Sequence, residues 1–271
     1  MPLISVNSVD LSYDEVGSGK ETIVFSHGLL LNKAIFQKQI DLLKEDYRCI
    51  AFDFRGHGQS QVTKGGYGMD SLTNDVIALI ETLDCGPCHY VGHSMGGFVG
   101  FRLALRRPDL LRSLILISSS ADREPLWNIP NYCFLNSLVA LTGGLRLVIN
   151  QVMPVMFGKT FRMESSRAKE CLEWKNHLLA NRRHITQAVW KVVLRKGVYQ
   201  QLHKITTPSL ILVGKEDKTT DENKATRMKD ALSKAVLKTI PNAGHTPTVE
   251  NPIEVNKAMK EFLATIEAPS G

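Results

Sequence analysis

Gly92-His93-Ser94-Met95-Gly96 places a serine between two glycines, directly after a short β-prone run at residues 88–91. Residues 98–107 follow with apolar side chains at helical spacing, and Pro108 ends that run. A serine on a sharp strand-to-helix turn needs neighbours without side chains, which Gly92 and Gly96 provide. The strand and the helix favour a nucleophilic Ser94 over a glycine–serine turn that matches by chance.

Strand and helix patterns alternate along most of the chain. Strands are predicted at residues 9–15, 22–26, 47–53, 88–92, 111–118, 209–213 and 235–240, and helices at 34–44, 72–83, 98–107 and 252–266. The first two strands, separated by a Gly17-Ser18-Gly19 turn, indicate an antiparallel start to the sheet. The run 114–117 is apolar at every position, which is typical of a strand buried on both faces. The fold class is therefore α/β, with a mostly parallel sheet and helices on both faces.

Residues 122–200 interrupt this alternation, since they show no clear strand and contain Pro125, Pro130 and Pro154. We predict a core formed by residues 1–121 and 201–271, with residues 122–200 inserted as a helical cap. Ligands of open α/β sheets bind outside the carboxyl ends of the strands. The cap is expected above those ends.

The composition narrows the classes of partner. The chain has 271 residues and a formal net charge of +6, but its basic residues are scattered without aromatic interleaving, so no nucleic-acid partner is expected. Residues 1–6 show neither a basic leader nor a long apolar run, so no membrane partner and a cytoplasmic location are expected. Five irregularly spaced cysteines agree with that location. A monomer and a homodimer both stay open.

Cys85-Gly86-Pro87-Cys88 has the sequence of a thioredoxin-like redox motif. That chemistry needs its first cysteine at a helix N-terminus, where the helix dipole lowers the thiol pKa. The pair instead lies between a predicted helix and a predicted strand. We interpret it as a turn.

A serine hydroxyl needs a base to take its proton and an acid to orient that base. His245 follows the last predicted strand, and Asp217 follows the strand before it. Glu216 and Asp122 are the competing acids. The order Ser94, Asp217, His245 is that of one class of serine hydrolase and not of the chymotrypsin or subtilisin types.

With these residues the chain resembles the α/β-hydrolase fold superfamily, in its serine hydrolase branch, over nearly its whole length. The motifs that carry the resemblance are Ser26-His27-Gly28-Leu29, Asp53-Phe54-Arg55-Gly56-His57-Gly58-Gln59-Ser60, the Ser94 elbow, the 214–217 loop, and Gly244-His245 followed by Glu250 and Pro252. The resemblance implies an eight-stranded-type sheet and an oxyanion hole formed by the backbone N–H groups of Leu29 and Met95.

The same resemblance leaves two points open. Some relatives carry their acid after the sixth strand, which keeps Asp122 a candidate, and many have a proline shortly after the acid, which Lys218-Thr219-Thr220-Asp221 lacks. A more mobile loop is expected there. The histidines of the motifs, His27, His57 and His93, are expected to pack and to hydrogen-bond loops.

A serine at the elbow, instead of the aspartate of dehalogenases and epoxide hydrolases of this fold, implies acyl transfer to water. We expect a carboxylesterase-like enzyme that forms an acyl-enzyme on Ser94 from a small-molecule ester or lactone, with short to medium acyl chains and no cofactor or metal. The alternatives are an enol-lactonase, a carbon–carbon bond hydrolase of aromatic degradation, a cofactor-free haloperoxidase or perhydrolase, and a non-catalytic ligand receptor.

Cap residues would separate these alternatives. A cap arginine that recognises a substrate carboxylate would favour the lactonase or the carbon–carbon hydrolase, whereas Thr246 stands where carbon–carbon hydrolases commonly have an aromatic residue. The candidate arginines are Arg162, Arg167, Arg182 and Arg183. The cap side chains expected to include an apolar acyl pocket are Trp127, Ile129, Tyr132, Phe134, Leu135, Val155, Met156, Phe157, Trp174 and Trp190.

Overall fold

A central sheet organises the protein, of which the computed structural model describes residues 2–267. The strands in this range are β1 (Leu3–Val6), β2 (Val9–Val16), β3 (Thr22–Ser26), β4 (Arg48–Phe52), β5 (Cys88–His93), β6 (Leu111–Ile117), β7 (Ser209–Gly214) and β8 (Ala235–Ile240). Their order across the sheet is β1-β2-β4-β3-β5-β6-β7-β8. The pairs β1–β2 and β2–β4 are antiparallel and the others are parallel. The predicted mostly parallel α/β sheet is confirmed.

The sheet begins with antiparallel strands, but the two strands on either side of the turn at residues 17–19 do not pair with each other. β2 pairs with β1 and β4, whereas β3 pairs with β4 and β5. The turn at residues 17–19 therefore connects strands that are not neighbours. Every residue of β3 is buried, which fits a position inside the sheet.

Helices cover both faces of the sheet. They are α1 (Gln37–Leu43), α2 (Met69–Thr82), α3 (Met95–Arg106), α4 (Ile129–Thr142), α5 (Ile149–Met156), α6 (Lys159–Met163), α7 (Ala168–Leu179), α8 (Ile185–Val193), α9 (Glu222–Ala231), α10 (Pro247–Glu250) and α11 (Pro252–Glu267). Val76 of α2 and Leu103 of α3 belong to the hydrophobic core on one face, and Leu43 of α1 and Met259 of α11 to the core on the other. Burial of such apolar side chains is the main favourable contribution to folding.

Helices α4 to α8 all lie between β6 and β7 in the chain, where the sequence predicted an insertion. The division into a core and a separate cap at residues 122–200 stays a prediction, and we use "cap" for that segment. None of the helices within residues 2–267 is long and apolar enough to cross a lipid bilayer. The cytoplasmic location stays a prediction.

The parallel part of the sheet determines where the candidate site forms. β5, β7 and β8 run in the same direction, so their carboxyl ends lie at one edge of the sheet. Ser94 follows β5, Asp217 follows β7, and His245 follows β8. Three residues that are far apart in sequence thus reach one edge.

Candidate active site

Ser94 occupies a strained turn between β5 and α3. Its backbone has φ 48° and ψ −108°, in the positive-φ region that residues other than glycine rarely adopt. A Cβ on Gly92 would lie 2.6 Å from the backbone carbon of Gly96, and a Cβ on Gly96 would lie 2.2 Å from the Ser26 carbonyl oxygen. Both glycines are required by the close approach of the backbone, as the sequence pattern predicts.

His245 lies between Ser94 and Asp217. Its Nε2 is 2.9 Å from Ser94 Oγ, and its Nδ1 is 2.9 Å from Asp217 Oδ2. When Nδ1 carries the proton and donates a hydrogen bond to the carboxylate, Nε2 is left as an acceptor for the Ser94 hydroxyl. The three residues therefore have the geometry of a nucleophile, a base and an orienting acid.

Asp217 is buried and held in its charged form. Burial opposes its ionisation, but the charge of His245 and the hydrogen bonds from His245 and Thr220 outweigh that effect. These interactions hold the pKa of Asp217 well below its usual range. A carboxylate that stays ionised can stabilise a protonated imidazole beside it.

The competing acids have other partners. Glu216 accepts hydrogen bonds from the backbone N–H, at 2.9 Å, and from the hydroxyl of Thr160. Asp122 is 3.2 Å from an Arg227 nitrogen. Asp217 alone of these three carboxylates contacts the His245 ring.

Two threonines after Asp217 complete the acid's surroundings, and sequence reasoning assigned them no role. The Thr219 hydroxyl donates to Asp217 Oδ1 at 2.7 Å and also lies 2.8 Å from His245 Nδ1. The Thr220 hydroxyl donates to Oδ2 at 2.7 Å. The N–H groups of both residues donate to Oδ1, at 2.8 and 3.0 Å. A proline at either position has no N–H and could not donate to Asp217 in this way, which explains why this loop has no proline there. The expected mobility of the loop stays a prediction.

The two backbone N–H groups predicted for an oxyanion hole belong to the loop after β3 and to the first residue of α3. The hydrogen bonds of residues 2–267 include no acceptor for the N–H of Leu29 or Met95. Met95 begins α3, where the first N–H groups have no partner within the helix. The backbone at Gly28 approaches Ser94 so closely that a Cβ there would be 3.2 Å from Ser94 Cβ. Their role as oxyanion donors stays a prediction.

Glu250 holds the backbone on both sides of His245. Its carboxylate accepts from the N–H of Gly244 at 2.8 Å and of Thr246 at 2.9 Å, and also from the cap residue Gly158 at 2.7 Å. Burial raises the pKa of Glu250 to about 7, although these three donors act in the opposite direction. The sequence motif contained Glu250, but its spacing from His245 did not reveal this function.

The three remaining motif histidines are buried and neutral. His27 Nδ1 donates to the Gly28 carbonyl oxygen at 2.7 Å, and His93 Nε2 donates to the His245 carbonyl oxygen at 2.6 Å. Burial is the main cause that lowers the pKa of His27 to about 4, and those of His57 and His93 to about 3. They brace loops, in agreement with the expectation from the resemblance.

A cavity of about 170 Å³ opens next to Ser94 and His245. A cavity of about 150 Å³ lined by apolar side chains is large enough for benzene. Four of the predicted cap residues line it, namely Tyr132, Leu135, Val155 and Met156. The cavity is also lined by cap residues outside the predicted set, namely Asn136, Val139, Leu145, Val148, Gln151, Val152, Ile185, Val189, Val192 and Val193.

The remaining predicted pocket residues lie elsewhere. Phe157 and Trp174 are buried in the hydrophobic core that also contains Leu43 and Met259, whereas Trp127, Phe134 and Trp190 are exposed. Ile129 is not among the cavity-lining residues. A helix presents different side chains to the core and to solvent, and the sequence alone did not show which face of each cap helix is turned inward.

The cavity contains an arginine, but not one of the four candidates. Arg162 donates to the Phe157 carbonyl oxygen, Arg167 donates to backbone oxygens near Glu250, and Arg182 and Arg183 are exposed. The arginine that lines the cavity is Arg195, which lies 3.5 Å from Glu124 and stacks 4.0 Å above the Phe98 ring. Nothing in its sequence surroundings distinguished it from the scattered surface arginines.

The cysteine pair is consistent with a turn. Cys85 and Cys88 are buried and free, and burial raises the pKa of Cys85 to about 11 and that of Cys88 further. Such thiols lack the activation that redox chemistry needs. Within residues 2–267 no three His, Cys, Asp or Glu side chains form a group that could hold a metal ion.

Comparisons with known proteins identify the family of the chain. Residues 21–252 match the family model of the alpha/beta hydrolase fold. RutD of Pseudomonas syringae, named as a carbamate hydrolase, is 26% identical over 90% of this chain and 94% of its own. The 3-oxoadipate enol-lactonase 2 of Acinetobacter baylyi is 26% identical over 96% and 95%. A thermophilic esterase from Thermogutta terrifontis superimposes with a TM-score of 0.88 at 25% identity, over 97% of each chain. The chain belongs to the α/β-hydrolase fold family and is an enzyme of the hydrolase type.

Proposed function

We propose that the protein is a serine hydrolase that cleaves carboxylic esters with short to medium acyl chains through an acyl-enzyme on Ser94. The continuous chain of hydrogen bonds from Ser94 through His245 to Asp217, open to an apolar cavity, carries this proposal. Its geometry matches what a serine nucleophile needs, namely a base within hydrogen-bonding distance and an acid behind that base.

In the proposed reaction, Ser94 Oγ bonds to the substrate carbonyl carbon while its proton moves to His245 Nε2. The N–H groups of Leu29 and Met95 stabilise the charge on the carbonyl oxygen. Loss of one such donor costs about 2.7 to 4 kcal/mol of barrier. Collapse of the tetrahedral intermediate breaks the ester C–O bond, and the leaving alcohol takes the proton from His245. A water molecule, deprotonated by His245, then releases the acid and regenerates Ser94.

The cavity supports the preference for short to medium acyl chains. Its lining is mostly aliphatic, and its size suits a group of a few carbon atoms up to about the bulk of an aromatic ring. Lactones are the second candidate substrates, because the enol-lactonase relative aligns over 96% of the chain. Carbamates enter the test through the RutD relative.

The test is a hydrolysis panel of p-nitrophenyl esters of increasing acyl length, together with lactones and carbamates, on wild type and Ser94→Ala. We expect sustained turnover that peaks at short or medium esters, and a loss in Ser94→Ala of about 10⁴-fold or more. Ser119→Ala is the matched control, because within residues 2–267 the only hydrogen bond of the Ser119 hydroxyl is the one it donates to the Ser94 carbonyl oxygen, and the variant should leave most activity intact. Turnover of no substrate in the panel would support a ligand receptor instead.

A further inference from the structure

The cap segment at residues 125–158 is almost free of charge. Residues 125–145 contain no Asp, Glu, Lys or Arg, and Arg146 is the sole charged residue in 125–158. Helix α4 lies within this stretch. A helix on the surface of a water-soluble protein normally has charged side chains on its outer face.

Helix α4 exposes large apolar side chains in addition to those that line the cavity. Tyr132, Leu135 and Val139 line the cavity. Trp127 in the preceding turn, Phe134 and Leu141 are spaced by seven residues and are 81%, 62% and 83% exposed. Seven residues are close to two helical turns, so Phe134 and Leu141 lie on one side of α4, with Asn131 and Ser137 exposed as well and Trp127 just before the helix.

Helix α8 lies antiparallel beside α4. Three contacts fix this alignment: the Arg195–Glu124 ion pair, the hydrogen bond from Asn136 Nδ2 to the Thr186 carbonyl oxygen, and the backbone bridge between Gly144 and Arg182. They join the start of α4 to the end of α8, and the end of α4 to the start of α8.

Both helices therefore turn their outer faces to the same side. Val189 and Val192 of α8 line the same cavity as α4, so the opposite face of α8 points away from the core together with the exposed apolar side chains of α4. Trp190 and Leu194 on that face are 36% and 57% exposed. We call the surface formed by Trp127, Phe134, Leu141, Trp190 and Leu194 the outer cap face. Large apolar side chains exposed together on two neighbouring helices are unusual for a surface in contact with water alone and favour an interaction site.

The charged side chains around the outer cap face are basic. Two nearby acids are already paired, Asp122 with Arg227 and Glu124 with Arg195. Residues 125–163 contain no acid. The exposed cations in and beside α4 and α8 are Arg123, Arg146, Arg182, Arg183, Lys191 and Lys196.

We propose that the outer cap face docks onto the surface of an anionic lipid bilayer, with the aromatic and aliphatic side chains in the interfacial region and the cations against the lipid phosphates. Tryptophan, phenylalanine and leucine beside lysine and arginine are the composition of interfacial helices. Basic residues beside an anionic membrane surface strengthen binding to it. The expectation of no membrane partner rested on the lack of a leader and of a membrane-spanning segment. Sequence alone did not show which apolar side chains of the cap are exposed.

A second copy of the chain fits the outer cap face less well. A two-fold dimer places the same surface of each subunit against the other. Such contact would bring the two sets of arginines and lysines together with no exposed acid from residues 125–163 to pair with them. Charge complementarity therefore favours an anionic surface.

The test is co-sedimentation of the full chain with phosphatidylcholine vesicles, with and without phosphatidylglycerol, at low and high salt. We expect binding to the phosphatidylglycerol vesicles that weakens with salt. The triple substitution Trp127→Ser, Phe134→Ser, Leu141→Ser should weaken it about tenfold or more. The control Leu3→Ser, Ile253→Ser changes residues that are 59% and 76% exposed outside the cap, and should bind like wild type.

A charge-reversal pair keeps the test valid if the triple variant fails to fold. Arg182→Glu with Arg183→Glu alters exposed side chains and should weaken binding about 30-fold or more at low salt. The control Lys257→Glu with Lys260→Glu makes the same change of charge on α11 and should have little effect. Absence of binding by wild type, equal losses in the controls, or a dimer that the triple substitution dissociates would each overturn the proposal. None of these readouts depends on hydrolysis.

Discussion

The loops at the carboxyl edge of the sheet and the helices α4 and α8 contribute to the candidate site in opposite ways. At the edge, each functional side chain is held by several hydrogen bonds: Asp217 accepts from His245, Thr219 and Thr220, and Glu250 fixes the backbone around His245. The helices instead provide apolar side chains that shape the cavity. In the proposed function, the edge loops determine the reaction and the cap determines which molecule undergoes it.

If the edge loops carry the chemistry, Asp217→Asn should have the largest effect. An amide cannot stabilise a protonated His245 and can favour the wrong tautomer, so we expect kcat to fall by about 10³ to 10⁴-fold with little change in KM. Steady-state kinetics on the best ester of the panel measures both constants. Asp122→Asn is the matched control and should retain near wild-type kcat, because Asp122 pairs with Arg227. A larger loss in Asp122→Asn would show that the acid was assigned wrongly.

If the cap determines the substrate, a larger side chain in the cavity should change selectivity and not the reaction. Val189 lines the cavity, so Val189→Phe should lower kcat/KM for medium relative to short acyl chains by about tenfold or more. The activity on the shortest ester should persist. Val236→Phe, at a 47% exposed position on β8, makes the same change outside the cavity and should leave the chain-length profile unaltered. An unchanged profile in Val189→Phe would place the acyl chain elsewhere.

The smallest effect concerns stability as a function of pH. Because the folded protein holds the pKa of Asp217 below its unfolded value, ionised Asp217 stabilises the fold above the unfolded pKa, about 3.9, and this contribution is lost as the pH falls through the folded pKa. Thermal unfolding of wild type and Asp217→Asn should therefore give a Tm difference that narrows as the pH falls below about 4. A difference that widens as the pH falls below about 4 would contradict the direction of the pKa shift.

The edge loops could be predicted from sequence because their geometry depends on local rules. Gly92 and Gly96 are needed where two backbone segments approach so closely that a Cβ would not fit between them. Apolar runs such as 114–117 become buried strands. Once the sheet is parallel, residues that follow strands must meet at one edge. Ser94, Asp217 and His245 were therefore brought together by topology that the sequence already contained.

The cap could not be predicted to the same depth. Its helices have apolar residues on more than one face, so periodicity did not distinguish Tyr132, which lines the cavity, from Phe134, which is exposed. Arg195 reaches the cavity through its pairing with Glu124, a contact across the α4–α8 pair that no local motif encodes. Side-chain direction in the cap depends on tertiary packing.

The central claim is that Ser94 carries the acyl group during turnover. The most direct measurement is intact-protein and peptide mass spectrometry after rapid acid quenching of a reaction with an activated p-nitrophenyl ester, in wild type and in Ser94→Ala. We predict a mass increase equal to one acyl group in wild type, located on the peptide that contains Ser94, and no such increase in the variant. Turnover without a modified Ser94 peptide in a sample quenched during the reaction, or an acyl group on a different residue that Ser94→Ala retains, would contradict the account.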